Sequence, residues 1–155
     1  MFRRRRGQIR LAVGEEEVEL LKKVIGEYLE LLDAERDPRD PIMARLFPSA
    51  SLEDPLLADD YRELATSDLD AHKRATAKLA LDSLDADRRE PLDEAQLEAW
   101  LVLLTDLRLA IGVGLGVTEE TMEALPNPND PAQWPMAVMH YLASLQETLV
   151  QALQG

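Results

Sequence analysis

From Glu15 to about Ala34 the apolar residues Val18, Leu21, Val24, Ile25, Tyr28, Leu29 and Leu32 recur at three- and four-residue steps behind three glutamates. That period and that acidic first turn predict an amphipathic helix. Ahead of it, Ile9, Leu11 and Val13 alternate with Arg10 and Ala12 after Gly7-Gln8, a period of two around a turn, which predicts a short β-hairpin over Phe2 to Val13. Asp-Pro steps at Asp40, Asp54 and Asp130 suit helix starts, because Asp accepts from orphan amides and proline at the first position lacks only an unneeded donor. They predict a short turn through Ile42, Met43 and Leu46, a helix carrying Leu56, Leu57, Tyr61 and Leu64, and a last helix from Pro131 to about Gln154 that places Trp134, Val138, Tyr141, Leu142, Leu145, Leu149 and Leu153 on one side. Ser67 with Asp70 reads as a capping box opening a segment to about Asp85, its stripe including Leu69, Thr76, Leu79, Ala80 and Leu84. Asp93 caps the most apolar stretch, Leu97 to Val113, whose apolar residues leave little polar surface. Such a segment belongs at the centre of a core. A short helix after Thr118 stops near Pro126, and Gly116 serves as a left-handed cap before it. The fold class expected is all-α: a multi-helix bundle around a buried central helix, with a short N-terminal β-hairpin.

With 155 residues the chain suits a single domain. Within it, residues 1–13 form a basic hairpin arm and residues 14–155 an acidic bundle. Thirty acids against seventeen Lys and Arg give a net charge of −13, which disfavours nonspecific attraction to nucleic acid or an anionic membrane. No cysteine is present, so disulfides, thiolate metal sites and Cys nucleophiles are excluded. The arginines at the start are followed by no export segment. The longest uncharged run, Pro131 to Gln146, holds two prolines and falls short of a bilayer span. The expectation is a cytoplasmic protein with no membrane partner.

Catalytic chemistry finds little material. A carboxylate-bridged di-metal bundle needs Glu-x-x-His motifs, and none occurs; His72 has only Asp68 one turn before it, and His140 has no such acid. The serines sit in no Gly-x-Ser-x-Gly elbow. Gly112, Gly114 and Gly116 follow a helix rather than a strand and lack the lysine of a phosphate-binding loop. No metal, no cofactor and no enzymatic activity are expected.

Two features rise above this background. Arg3, Arg4, Arg5, Arg6 and Arg10 place +5 in ten residues that hold no acid, so the rest of the chain carries −18. They are candidate partner-binding residues, touching phosphate or an acidic protein surface; the alternative is that the arm folds against the acidic body or guards a hairpin edge. Only Phe2 supplies an aromatic ring beside them, so base stacking has no platform and DNA is reached only indirectly or through the arm. The second feature is Asp106 and Arg108 inside the apolar central helix. Isolated charges there are costly, so each should find a partner or the helix leaves a wet stripe. The favoured reading is a structural ion pair or hydrogen bond that fixes helix packing, including at a homodimer interface, and the alternative is a ligand site.

The order of landmarks also resembles a known family. They are the Arg-rich start with Gly7, Asp-Pro-Ile-Met-Ala-Arg-Leu-Phe-Pro at 40–48, and Trp100 followed by Thr105-Asp-Leu-Arg-Leu-Ala-Ile-Gly112. Leu115-Gly-Val-Thr-Glu119 and the closing Tyr141-Leu-Ala-Ser-Leu-Gln-Glu147 complete the set. Across nearly its whole length the chain resembles the actinobacterial domain-of-unknown-function family whose members are also called AosR, oxidative-stress transcription regulators. The resemblance implies a non-enzymatic regulator acting through a protein partner, a sigma factor or RNA polymerase. Because the family's genes tend to lie near that of the adaptor ClpS, it implies as the alternative an accessory role in Clp-protease proteolysis. Thiol oxidation requires a cysteine, so disulfide switching cannot operate in this chain.

Overall fold

Arg6 and Gly7 both take positive φ, 54° and 78°, the two-residue turn whose twist matches that of the strands it joins. It connects β1 (Phe2–Arg5) to β2 (Gln8–Leu11), paired antiparallel with Phe2 opposite Leu11, Arg3 opposite Arg10, Arg4 opposite Ile9 and Arg5 opposite Gln8. The computed structural model describes residues 1–33, 40–47, 59–115 and 129–155. Within these, the helices are α1 (Glu15–Asp33), α2 (Pro41–Leu46), α3 (Asp59–Asp85), α4 (Glu94–Leu115) and α5 (Trp134–Gln154), the last preceded by a 3-10 turn at Pro131–Gln133. The helix starts expected at Asp54 and after Thr118, and the cap at Gly116, lie outside the described residues.

The starts of α1, α2, α4 and the 3-10 turn each have a local cause. Gly14 donates its amide to Glu17 Oε2 at 2.9 Å, the returning half of a capping box, and Tyr141 of α5 donates its hydroxyl to the other oxygen at 3.0 Å. The Gly14 amide, then the Tyr141 hydroxyl, hold the Glu17 carboxyl below the ordinary carboxylate pKa, although partial burial opposes them. Asp40 Oδ1 accepts from the Ile42 amide at 2.9 Å, and Asp130 Oδ1 from the Ala132 amide at 3.0 Å. Asp93 and Gln96 form a reciprocal box, Gln96 N to Asp93 Oδ1 at 2.7 Å and Asp93 N to Gln96 Oε1 at 2.9 Å. Changing Asp93 to Ala should cost about 1 kcal/mol. In a chain of this size that is a fall of about 2–4 °C in Tm, with Asp93→Asn close to wild type in the same melting curves.

The expected all-α bundle with a hairpin is what the chain forms. α4 packs against α1, α2, α3 and α5, and Trp100, Leu103, Leu104 and Leu107 on it are buried with Leu21, Ile25, Leu142 and Leu149. Each such side chain contributes roughly 1.5–3 kcal/mol of burial. The hairpin shares this core through Phe2, Ile9 and Leu11. Phe2 meets Trp100 edge-on, with centroids 5.8 Å apart, and its amide donates to Thr148 of α5 at 3.0 Å. The α4 helix runs through Gly112, where an added Cβ would meet the Met139 methyl at 3.0 Å. The missing side chain lets α5 approach closely.

Three expectations are corrected. No helix begins at Ser67, because α3 is continuous through it from Asp59 and the Asp70 carboxylate accepts from Arg74 one turn on, at 2.9 Å. The stripe of α3 runs through Lys73, Ala77, Ala80 and Leu84, all buried, and leaves Leu79 39% exposed, about 100° around the helix from Ala80. Finally, α5 proper begins only at Trp134, whose indole is 57% exposed, and Leu153 in the last turn is exposed too, so the two ends of the expected stripe lie outside the buried run of Leu142, Leu145 and Leu149.

Candidate functional site: an arginine face on a pinned hairpin

The alternation of β1 and β2 sends Phe2, Ile9 and Leu11 inward and sets Arg3, Arg5, Gln8 and Arg10 together on the opposite face. Arg3 and Arg10 stand directly across from each other, a like-charge pair that a sheet would ordinarily avoid. Arg4, on the inner side, reaches past the core edge to donate to the Ala152 carbonyl at 3.2 Å. A cation there complements the negative end of the α5 dipole. Arg10 donates to the Arg89 carbonyl at 2.6 Å and to Gln8 Oε1 at 3.0 Å, while Leu92 donates its amide to the Ile9 carbonyl at 2.8 Å. The backbone of the hairpin is thus fixed to both the α3–α4 connection and α5.

Its charge is not neutralised. Among the described residues, none of Arg3, Arg4, Arg5, Arg6 and Arg10 forms an ion pair; their protein contacts are to carbonyls, an amide oxygen and the Met1 sulfur. These arginines border a groove of about 690 Å³ whose far wall is Arg88 and Arg89, two residues that reading the sequence did not single out. Arg88 donates to the Leu84 carbonyl at the end of α3, and Arg89 pairs with Asp87 at 2.9 Å. Their adjacency to the hairpin arises from the turn between α3 and α4, and no spacing in the chain announces it.

Asp106 and Arg108 do not pair with each other. Asp106 Oδ2 accepts from Lys73 Nζ of α3 at 2.6 Å and from the Tyr28 hydroxyl of α1 at 3.0 Å, and the Lys73 and Asp106 side chains are only 8% and 13% exposed. Burial, and then the Asp106 charge, raise the Tyr28 pKa far above the ordinary phenol value, so its hydroxyl stays a donor. Arg108 points to α5 instead, donating to Gln146 Oε1, and Gln146 donates to Thr105 Oγ1 at 2.7 Å. One charge therefore sets the packing of α4 on α3 and α1, and the other its packing on α5.

A cavity of about 500 Å³ lies among α1, α4 and the start of α5, walled mainly by Leu20, Val24, Leu31, Ile111, Trp134 and Val138. Lys23, Glu27 and Tyr28 are its titratable groups, and the Tyr28 hydroxyl is already committed to Asp106. Among the described residues, neither this wall nor the arginine groove aligns a nucleophile with a base. Among the described residues, no three His, Asp or Glu groups lie together as metal ligands, and no helix is long and apolar enough to cross a membrane. What the arginine groove can do is hold an anion: guanidinium forks match carboxylate and phosphate oxygens two at a time.

Comparison with known proteins agrees with the landmarks read from the chain. Proteins named oxidative stress regulator AosR in Mycobacterium tuberculosis and Mycobacterium bovis are each 31% identical to it over 183 residues, covering 96% of this chain and 83% of theirs. A Mycobacterium leprae protein carrying the AosR name is 31% identical over 187 residues with the same coverage. No solved structure matches the chain. The family described as Domain of unknown function (DUF2017) matches residues 1–153, and the chain belongs to that family.

Proposed function

We propose that this protein is a non-enzymatic, cytoplasmic regulator of the oxidative-stress response that acts on transcription through a protein partner, a sigma factor or RNA polymerase. The observation that carries this is the arginine face: the hairpin is held rigidly, yet its guanidiniums have no acidic partner among the described residues. A structural role alone would favour neutralising them, since like charges facing across strands cost stability. The relatives' names support the regulatory part. With no cysteine in the chain, the stress signal reaches it by a route other than its own thiol chemistry, such as a change in the partner.

Affinity capture of tagged protein from cells, with and without peroxide, tests this. Recovery of a sigma factor or RNA polymerase is the expected result. Recovery of ClpS or Clp subunits in their place would move the protein to proteolysis and overturn the proposal.

A further inference from the structure

We propose that the groove between the hairpin and the α3–α4 connection is a binding site for an acidic peptide segment, a short run of Asp and Glu side chains, and that Arg88 and Arg89 belong to it as much as the hairpin does. This deepens the proposed function and rests on it only for the identity of the protein that carries the segment. Seven arginines border the groove, and no lysine does. Asp87 already pairs with Arg89 at 2.9 Å, which leaves six of the seven without an acidic partner among the described residues and makes Arg89 one that a stronger acidic ligand must share or take over. Arg is the side chain whose planar fork takes carboxylates in bidentate fashion, with its charge fixed across the physiological range. The inner wall is immobilised by the Arg10 and Arg4 contacts and by the Leu92–Ile9 hydrogen bond, so the guanidiniums are presented on rigid backbone rather than on a tail.

Charge decides between an acidic peptide and a nucleic acid. The seven arginines carry +7, so the remainder of a chain of net charge −13 carries −20. A duplex places a phosphate charge roughly every 1.7 Å along its axis, and any length beyond the groove would run over that anionic body within a Debye length of about 8 Å. A compact acidic segment engages the positive groove and ends before the repulsion begins. Nor is there a surface for bases, because the one ring on the hairpin, Phe2, is buried against Trp100.

The test is fluorescence anisotropy on the full chain at about 150 mM salt, with three labelled probes: a peptide of alternating Glu and Ser, the same peptide with Gln for Glu, and a duplex DNA of arbitrary sequence. The Glu peptide should bind, weaken steeply with added salt, and outcompete both other probes. Arg88→Ser with Arg89→Ser, and separately Arg3→Ser with Arg5→Ser, should each weaken it by about tenfold, as expected for loss of charge-assisted hydrogen bonds. The second pair guards against a folding artefact, because Arg88 also caps the Leu84 carbonyl whereas Arg5 has no such role. Tighter binding of the duplex, or equal binding of the Gln peptide, overturns the proposal; so does unchanged affinity in both pairs. Groove-dependent peptide binding without capture of a transcription protein would leave this site standing while the proposed function falls. Capture of a sigma factor undiminished by the same two pairs would do the reverse.

Discussion

Asp106→Ala should destabilise the fold by about 3–5 kcal/mol, the cost of leaving a buried charge uncompensated. The charge in question is Lys73, only 8% exposed and bonded to Asp106 at 2.6 Å. The Tyr28 hydroxyl loses the same acceptor. In a chain of this length the expected fall in Tm is about 10 °C. Because desolvation offsets much of the attraction within a buried pair, the double change Lys73→Met with Asp106→Leu should recover most of the loss. Thermal and urea unfolding of both variants checks this. A single variant within about 1 kcal/mol of wild type would mean that water reaches the pair and that it does not organise the helices.

The second large effect is expected at Trp100, where α4 meets the hairpin. Trp100→Ala should cost about 3–5 kcal/mol through the lost ring and the cavity it leaves. The ring is fully buried, meets Phe2 edge-on, and donates from Nε1 to Ser83 at 2.8 Å. Ser83 in turn donates to the Ala80 carbonyl at 2.6 Å, so the indole closes a small buried polar chain inside α3. Trp100→Phe keeps a buried ring but removes that donor and part of the indole's volume, and should cost less than the Ala change, about 1–2 kcal/mol for the lost hydrogen bond plus a smaller cavity. Since Phe2 packs on this ring, the Ala variant should also raise amide exchange at Arg3, Arg5 and Arg10 more than in α5. Equal protection of the hairpin in the variant and in wild type would show that its anchoring comes from the α5 and α3–α4 contacts instead.

The parts of the fold visible in the chain are those set by neighbours in sequence. The Gly7 turn with Ile9 and Leu11 alternating, the α1 stripe from Val18 to Leu32, and the Asp93 cap are local, and each stands where its pattern places it. Ser67 misleads because its cap signal is also local, and burial of Thr66, Lys73 and Ala77 on one face carries α3 through it. Leu79 and Trp134 look like core residues by type, but which face a helix turns inward is set by its partners, not by a single side chain. Asp106 was conspicuous as a charge in an apolar run. Its partner was legible only as position: Lys73 sits four residues after Leu69 and three before Thr76, on the stripe itself. Arg88 and Arg89 could not be joined to the hairpin by any spacing, because a turn between helices brings them there.

The account depends most on the arginine face being made for recognition and not for the fold. The direct measurement combines the melting curve of the triple variant Arg3→Ser, Arg5→Ser, Arg6→Ser with its retention of sigma factor or RNA polymerase in a pull-down; Arg4 is left in place because it holds the α5 carbonyl end. Relief of the Arg3–Arg10 repulsion should leave Tm unchanged or slightly raised, while retention of the partner is lost. A variant that melts several degrees lower yet retains its partner as well as wild type would contradict it.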